Sequence, residues 1–329
     1  MKYFIVFGLA LLFQTSVSAQ ADATYYFAKD GRECMKEFAT SYRKTKLVDF
    51  SSKTYAFEDY NMDGSIKSTG FFLQGDFSFK TGTYVEYYEN GNEKLRGAYL
   101  SDVSKNIKNQ RVNSWYFRYK NDSMELEQLY AWDTTTNSFK SFIVNFWDTA
   151  GSKKVIDGDG DYSFIETHPS SLDSTEDIIF SGTVKNGLLD GTWKGFYMDG
   201  TIFCEETYNS EGLIEGKSYD HAGKGYRYTK IEVNPEFKGG DVELIRFLQW
   251  NIEYPWKERN KNIQGKVMIR FIVDTHGKVK DPKITRSVSP GLDLEALRVV
   301  NRLPDFKPAM QRGQPVSVYF NLPVVYKLQ

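Results

Sequence analysis

Polar and apolar residues alternate from Gln264 to Asp274. Val267, Ile269, Phe271 and Val273 fall on one side; Lys266, Met268, Arg270, Ile272 and Asp274 fall on the other. A period of two predicts a strand with one buried face. Thr275-His276-Gly277 predicts a turn, and Lys278-Val279-Lys280 the start of a second strand. Upstream, Leu244, Ile245, Leu248 and Ile252 mark one face of a helix with Asp241 as its expected N-cap. Tyr254-Pro255 ends it, because the residue before proline is pushed out of the α region. Downstream, Ser289-Pro290 opens a second helix with proline in its first turn. Ala296, Val299, Val300 and Leu303 form its apolar face, and Pro304 stops it. The last run alternates again, with Val316, Val318, Phe320, Leu322, Val324, Tyr326 and Leu328 on one face. Residues 230–329 are therefore expected to form a small α+β domain, two helices on a three-stranded antiparallel sheet.

The preceding two thirds repeat on a different rhythm. Gly82-Thr83-Tyr84-Val85-Glu86-Tyr87-Tyr88-Glu89-Asn90-Gly91 aligns without a gap on Gly191-Thr192-Trp193-Lys194-Gly195-Phe196-Tyr197-Met198-Asp199-Gly200. More loosely, an aromatic stands four residues before a glycine at Phe27/Gly31, Tyr60/Gly64, Tyr87/Gly91, Trp147/Gly151, Phe196/Gly200, Tyr208/Gly212 and Tyr219/Gly223. Each unit reads as a hairpin, because glycine, and less readily Asn or Asp, tolerates the positive φ of a tight turn. Stacked hairpins give an antiparallel meander in which each unit buries surface mainly against its neighbours. The pattern resembles MORN-type repeats in degenerate form. Residues 20–229 are thus expected to be an all-β meander of hairpin repeats, with insertions such as Pro169 to Asp177 as exposed loops.

Composition supports this division. Tyr (22) and Phe (24) are abundant and mean hydropathy is −0.51, which suits thin, aromatic-packed β structure better than a thick aliphatic core. Of nine prolines only Pro169 precedes Pro235. From Lys230 onward 17 Lys/Arg stand against 11 Asp/Glu, a net of +6, whereas the residues before it carry −7. An acidic body and a basic tail can steer partners or complement each other. At the start, Lys2, the apolar run Tyr3 to Phe13 and Val17-Ser18-Ala19 form a cleavable export signal over residues 1–19, cut near Ala19-Gln20. The apolar run makes roughly 16 Å of helix, too short for a ~30 Å hydrocarbon core. The mature protein is expected in the periplasm or cell envelope.

In the C-terminal third the order of motifs carries a resemblance. Pro235-x-Phe237-x-Gly239-Gly240 and Tyr254-Pro255 come first. Ile263-Gln264-Gly265 then opens a strand, followed by Val273-Asp274-x-x-Gly277-x-Val279. Leu292-Asp293-x-Glu295-Ala296 and Phe306-x-Pro308 follow. Together these resemble the C-terminal domain of TonB-type energy transducers over about the last hundred residues. The resemblance implies binding to the N-terminal segments of outer-membrane TonB-dependent receptors, with inner-membrane energising proteins as further partners. It also implies that the last strand pairs with the receptor segment by strand addition at an open sheet edge. The implied site is Val316, Ser317, Val318, Tyr319, Phe320, Asn321 and Leu322. Pro323 bears on this, because a residue without an N–H belongs at an edge, a bulge or a strand end. An edge placement turns the backbone of Ser317, Tyr319 and Asn321 outward. An ordinary transducer also has an anchor and a proline-rich spacer. Here the repeat sheet stands in the spacer's place, and some fifteen strands ~4.8 Å apart would extend roughly 70 Å.

Signals for catalysis are missing. His168, His221 and His276 lie far apart, the last two at turn positions. No zinc spacing, nucleophile elbow, phosphate loop or dinucleotide fingerprint occurs, so neither an enzyme, a metal nor a cofactor is expected. Glu205 and Glu206 are adjacent and face opposite ways on a strand. Asp157-Gly158-Asp159-Gly160-Asp161 begins like a calcium loop but lacks the required Gly at Tyr162 and Glu at His168, so it reads as a hairpin turn. An oxidising compartment would permit a Cys34–Cys204 disulfide. In a meander the two lie many strands apart, beyond the ~7 Å limit unless the sheet curls. The scattered basic residues and the export signal argue against nucleic acid. Two readings remain: a periplasmic TonB-like protein associated with energised outer-membrane transport, or an exported β-repeat scaffold with no role in energy transduction. Nothing in the sequence sets the oligomeric state.

Overall fold

A computed structural model describes residues 22–134, 137–169 and 171–328. The export signal at 1–19 and its Ala19-Gln20 junction lie outside these residues. Among the described residues no helix is long and apolar enough to cross a membrane.

The hairpin rhythm becomes a sixteen-stranded antiparallel meander, β1 (Thr24–Phe27) to β16 (Gly225–Tyr228), each strand beside the next in sequence. The turn chemistry is uniform. Gly31, Gly64, Gly91, Gly151, Gly200 and Gly223 have φ between 79° and 89°. Each donates its N–H to the carbonyl three residues back. This is the three-residue hairpin loop that ends in a left-handed residue. Asp63, Asp148 and Asp199 brace it by accepting, at 2.8 Å, the backbone N–H of Ser65, Ser152 and Thr201. Gly212 differs: Asn209 pairs directly with it across a two-residue turn. Asp157 and Gly158 form another two-residue turn, with φ of 52° and 93°, between β10 (Lys153–Ile156) and β11 (Asp159–Pro169). The segment after Pro169 is shorter than expected, since β12 (Thr175–Lys185) already starts at Thr175.

The chain divides into two compact units, Met1–Tyr162 with Val184–Leu188, and Ser163–Thr183 with Leu189–Gln329. In the first, Tyr25, Phe57, Phe72, Tyr84, Leu95 and Trp115 make an aromatic core. Cations cap it: Arg43 lies 4.2 Å from the Phe57 ring centroid, Lys80 4.5 Å from Tyr84, and Arg111 4.4 Å from Trp115. Cys34 and Cys204 are free, and burial pushes the Cys204 thiol up to about 12.

In the second unit the chain after β16 forms the expected domain. Its two principal helices are α1 (Gly240–Asn251) and α3 (Pro290–Val300), with a five-residue helix α2 (Trp256–Asn260) between them. The sheet has the order β19-β18-β22, from β18 (Gly265–Val273), β19 (Val279–Arg286) and β22 (Val318–Tyr326). Val267, Ile269, Phe271 and Val273 are all at most 1% exposed and meet Leu292, Ala296, Val299 and Val300 of α3 in one core. Ser289 caps α3 by accepting the Leu292 N–H, with Pro290 at the first helical position.

Three details differ from the sequence reading. Gly239, with φ 90°, and not Asp241, precedes α1, which has no side-chain cap. Ile245 is 55% exposed, and Leu244 and Leu248 carry the buried face with Phe247 beside them. A second small sheet, β17 (Glu232–Val233), β20 (Ala309–Gln311) and β21 (Gln314–Val316), had no periodic signature because its strands are two or three residues long.

Candidate functional site

The sheet β19-β18-β22 has two edges, and their chemistry differs. On β19 the pairing with β18 shifts register twice, and Asp281, with φ 49°, and Pro282 interrupt the strand. Bulges and proline are how proteins blunt an edge against strand addition. β22 instead pairs with β18 over nine consecutive residues without a shift, from Val273↔Val318 to Gly265↔Tyr326. Among the described residues no strand lies on its other side.

Pro323 stands within this unbroken ladder, opposite Met268. In an antiparallel strand the N–H and C=O of one residue point to the same neighbour and alternate along the chain. The Met268 carbonyl accepts the Thr285 hydroxyl of β19 at 3.2 Å, so Met268 is turned away from β22. The proline therefore falls where β18 asks for no donor. Alternation then turns the backbone of Tyr319 and Asn321 toward the open edge, and that of Val318, Phe320 and Leu322 toward β18. Side chains follow a separate alternation between sheet faces. Leu322, Val324 and Tyr326 are buried against the helices, whereas Tyr319, Asn321 and Val325 are exposed.

The expected site is not one strand. Val316 ends β21, where it pairs with Ala309 in the second sheet, and Ser317 is the joint at which the chain changes sheets. β22 can begin no earlier than Val318, because its partner strand ends at Val273 before the Asp274 turn. At that joint a cleft of about 610 Å³ is lined by Leu172, Val233, Met310, Val316, Ser317 and Val318, among others. Phe320 stacks on Phe271 at 5.3 Å, with Phe306 at 5.5 Å.

Residues 251–328 match the family model described as Gram-negative bacterial TonB protein C-terminal. This TonB-type segment runs from the end of α1 through β22. No curated protein and no solved structure matches the chain.

Sequence reasoning missed one constellation. Arg312, 3% exposed in the turn between β20 and β21, donates to Glu206 at 2.9 Å and to both oxygens of Glu166 at 2.6 and 3.1 Å. Glu206, 2% exposed, also accepts the Tyr228 and Tyr208 hydroxyls. The guanidinium lies 4.7 Å from the Phe180 ring and 5.6 Å from Phe203. Burial opposes its charge, but Glu166 and then Glu206 hold its pKa above the ordinary arginine value. The one available clue was the opposition of Glu205 and Glu206, which puts one of the two carboxylates indoors. Arg312 and Glu206 are buried and Glu166, its side chain 34% exposed, meets them from the surface, so the paired charges form an anchor.

Proposed function

We propose that this chain is a periplasmic TonB-like protein whose β22 edge takes up an extended N-terminal segment of an outer-membrane TonB-dependent receptor, in association with energised transport. The observation that carries the reading is the contrast between the two edges: β19 is broken by two register shifts and a left-handed Asp281, whereas β22 pairs over nine residues without a shift and is open. Backbone groups of Tyr319 and Asn321 supply the hydrogen bonds, and the alternate pattern of added side chains gives specificity. The cleft beside Val316 and Val318 lies at the start of the same edge. Inner-membrane energising proteins are the second class of partner on this reading. The role asked of the chain is binding, not chemistry.

The test is proline substitution along β22 with titration of a receptor N-terminal peptide. Tyr319→Pro and Asn321→Pro are expected to leave the protein folded and to weaken binding by ~0.5–1.5 kcal/mol for each net hydrogen bond lost. Phe320→Pro is expected to unfold the sheet, because it removes a ladder bond and a buried aromatic contact together. Circular dichroism separates folding from binding. If Tyr319→Pro and Asn321→Pro unfold the protein while Phe320→Pro does not, the outward set is the wrong one.

A further inference from the structure

The face of β19-β18-β22 that points away from the helices has no assigned role. Its residues follow from register. Lys266, Met268, Arg270 and Ile272 alternate with the buried set of β18. Arg286, Lys283 and Lys280 stand opposite Met268, Arg270 and Ile272 on β19. On the other side, Val325, Pro323, Asn321 and Tyr319 stand opposite the same four residues of β18. The residues so placed include five cations and no carboxylate.

All five cations are exposed, and none forms an ion pair with a described residue. Of the twelve other Lys/Arg from Lys230 onward, four do: Arg246 with Glu243, Arg298 with Glu295, Lys307 with Glu236, and Arg312 with Glu166 and Glu206; what sets this face apart is that its five cations share one surface. Two carboxylates come near. Asp274 feels the charge of Lys280 but is engaged by the His276 and Lys278 amides. Asp281 lies in the β19 bulge. Unpaired cations gathered on one sheet face are a charge left for a partner to complement.

We propose that this face docks on an anionic lipid membrane surface. The cations stand in two rows, ~4.8 Å apart across strands and roughly 10–13 Å apart along them, and do not converge on a pocket. A plane of laterally mobile headgroups can answer every row at once, whereas a single acidic polypeptide strand would meet one. Between and beside the rows lie Tyr319, 51% exposed, and Val325, 58% exposed, with the Arg270 guanidinium 5.7 Å from the Tyr319 ring. An amphipathic ring beside cations suits the membrane–water interface. The face and the β22 edge are separate surfaces of one sheet, so the inference stands apart from the edge reading.

The experiment is co-sedimentation of the full chain with vesicles of phosphatidylcholine, with or without phosphatidylglycerol. The wild type is compared with Lys280→Gln/Lys283→Gln/Arg286→Gln, whose changes lie on β19 and leave β22 intact. Binding is expected only to the anionic vesicles, is lost in high salt, and falls about fivefold per charge removed, roughly 100-fold for the triple variant. Circular dichroism checks that the variant is folded, and its receptor-peptide titration should be unchanged, so this surface can fail without the edge failing. The proposal is overturned if anionic vesicles do not bind, if the triple variant binds them equally, or if polyglutamate or duplex DNA at the same salt binds the face in preference to vesicles.

Discussion

Gly97 bears most directly on how thin this sheet is. A Cβ there would lie 2.0 Å from the Trp115 ring, so the indole rests on bare backbone. Trp115 is wholly buried although its strand belongs to a single meander, and that burial depends on the missing side chain. Gly97→Ala is expected to destabilise by ~1–3 kcal/mol, as overpacking does, read from the urea midpoint. His168 poses a different residue-level constraint. Its ring packs 4.8 Å from Phe203, and its Nδ1 is buried without a partner. Burial, reinforced by Arg312, lowers its pKa below the usual histidine value. The unfolded chain then binds the proton more readily than the folded one. Its contribution to stability is therefore full above pH ~6.5 and is lost as pH falls through the lowered folded value. His168→Phe keeps the ring contact and removes the proton site. Its melting temperature should fall less between pH 7 and 5 than that of the wild type, and parallel curves would refute the assignment.

At the scale of elements, turns were the most legible. All seven glycines singled out by an aromatic four residues earlier have positive φ. Gly82 and Gly191, the starts of the gapless alignment, match at 63° and 69°. The alignment extends to hydrogen bonds: Tyr88 donates to the Arg118 carbonyl and Tyr197 to the Tyr219 carbonyl. The apparent irregularity of the repeats has a specific cause. The turn after Tyr119 is built like the others, but Asp122, with φ 70°, holds the left-handed position, and a search for glycine steps over it. Amphipathic spacing located α3 on Ala296, Val299 and Val300, while Leu303 is buried but lies past the helix end; it placed α1 correctly, but assigned Ile245 to the wrong flank. Single-sequence periodicity does not specify which edge of a helical stripe finds a neighbour. The candidate strand was legible from Val318 onward, and only its first two residues belong elsewhere. There the chain leaves one sheet for another without interrupting the apolar alternation.

Long-range pairing was the part hidden from the sequence. Arg312 and Glu206 are 106 residues apart, and neither sits in a motif. The Arg312 carbonyl accepts from Ser218 and its amide donates to the Ile231 carbonyl, so backbone and side chain of one turn are both held. These contacts cross position 230, where composition and proline usage change. Arg312→Met is expected to cost ~3–5 kcal/mol, because it strands the buried Glu206 carboxylate. Arg312→Lys should rescue little, since an ammonium cannot reproduce the paired fork on Glu166. Urea midpoints of the full-length variants check both; a loss under 1 kcal/mol for Arg312→Met would mean water reaches Glu206.

An edge that welcomes one partner is also open to identical copies of itself. Val318 to Tyr326 is rich in β-branched and aromatic residues and free of charge, the composition from which fibrils nucleate. Pro323 interrupts it with one missing donor at the open side, so a chain can add over a short stretch but cannot zip along the full length. Pro323→Val should preserve the ladder to β18, which uses no donor there, yet shorten the lag before light scattering rises in concentrated solution. An unchanged lag would mean that the edge is protected by something other than its proline.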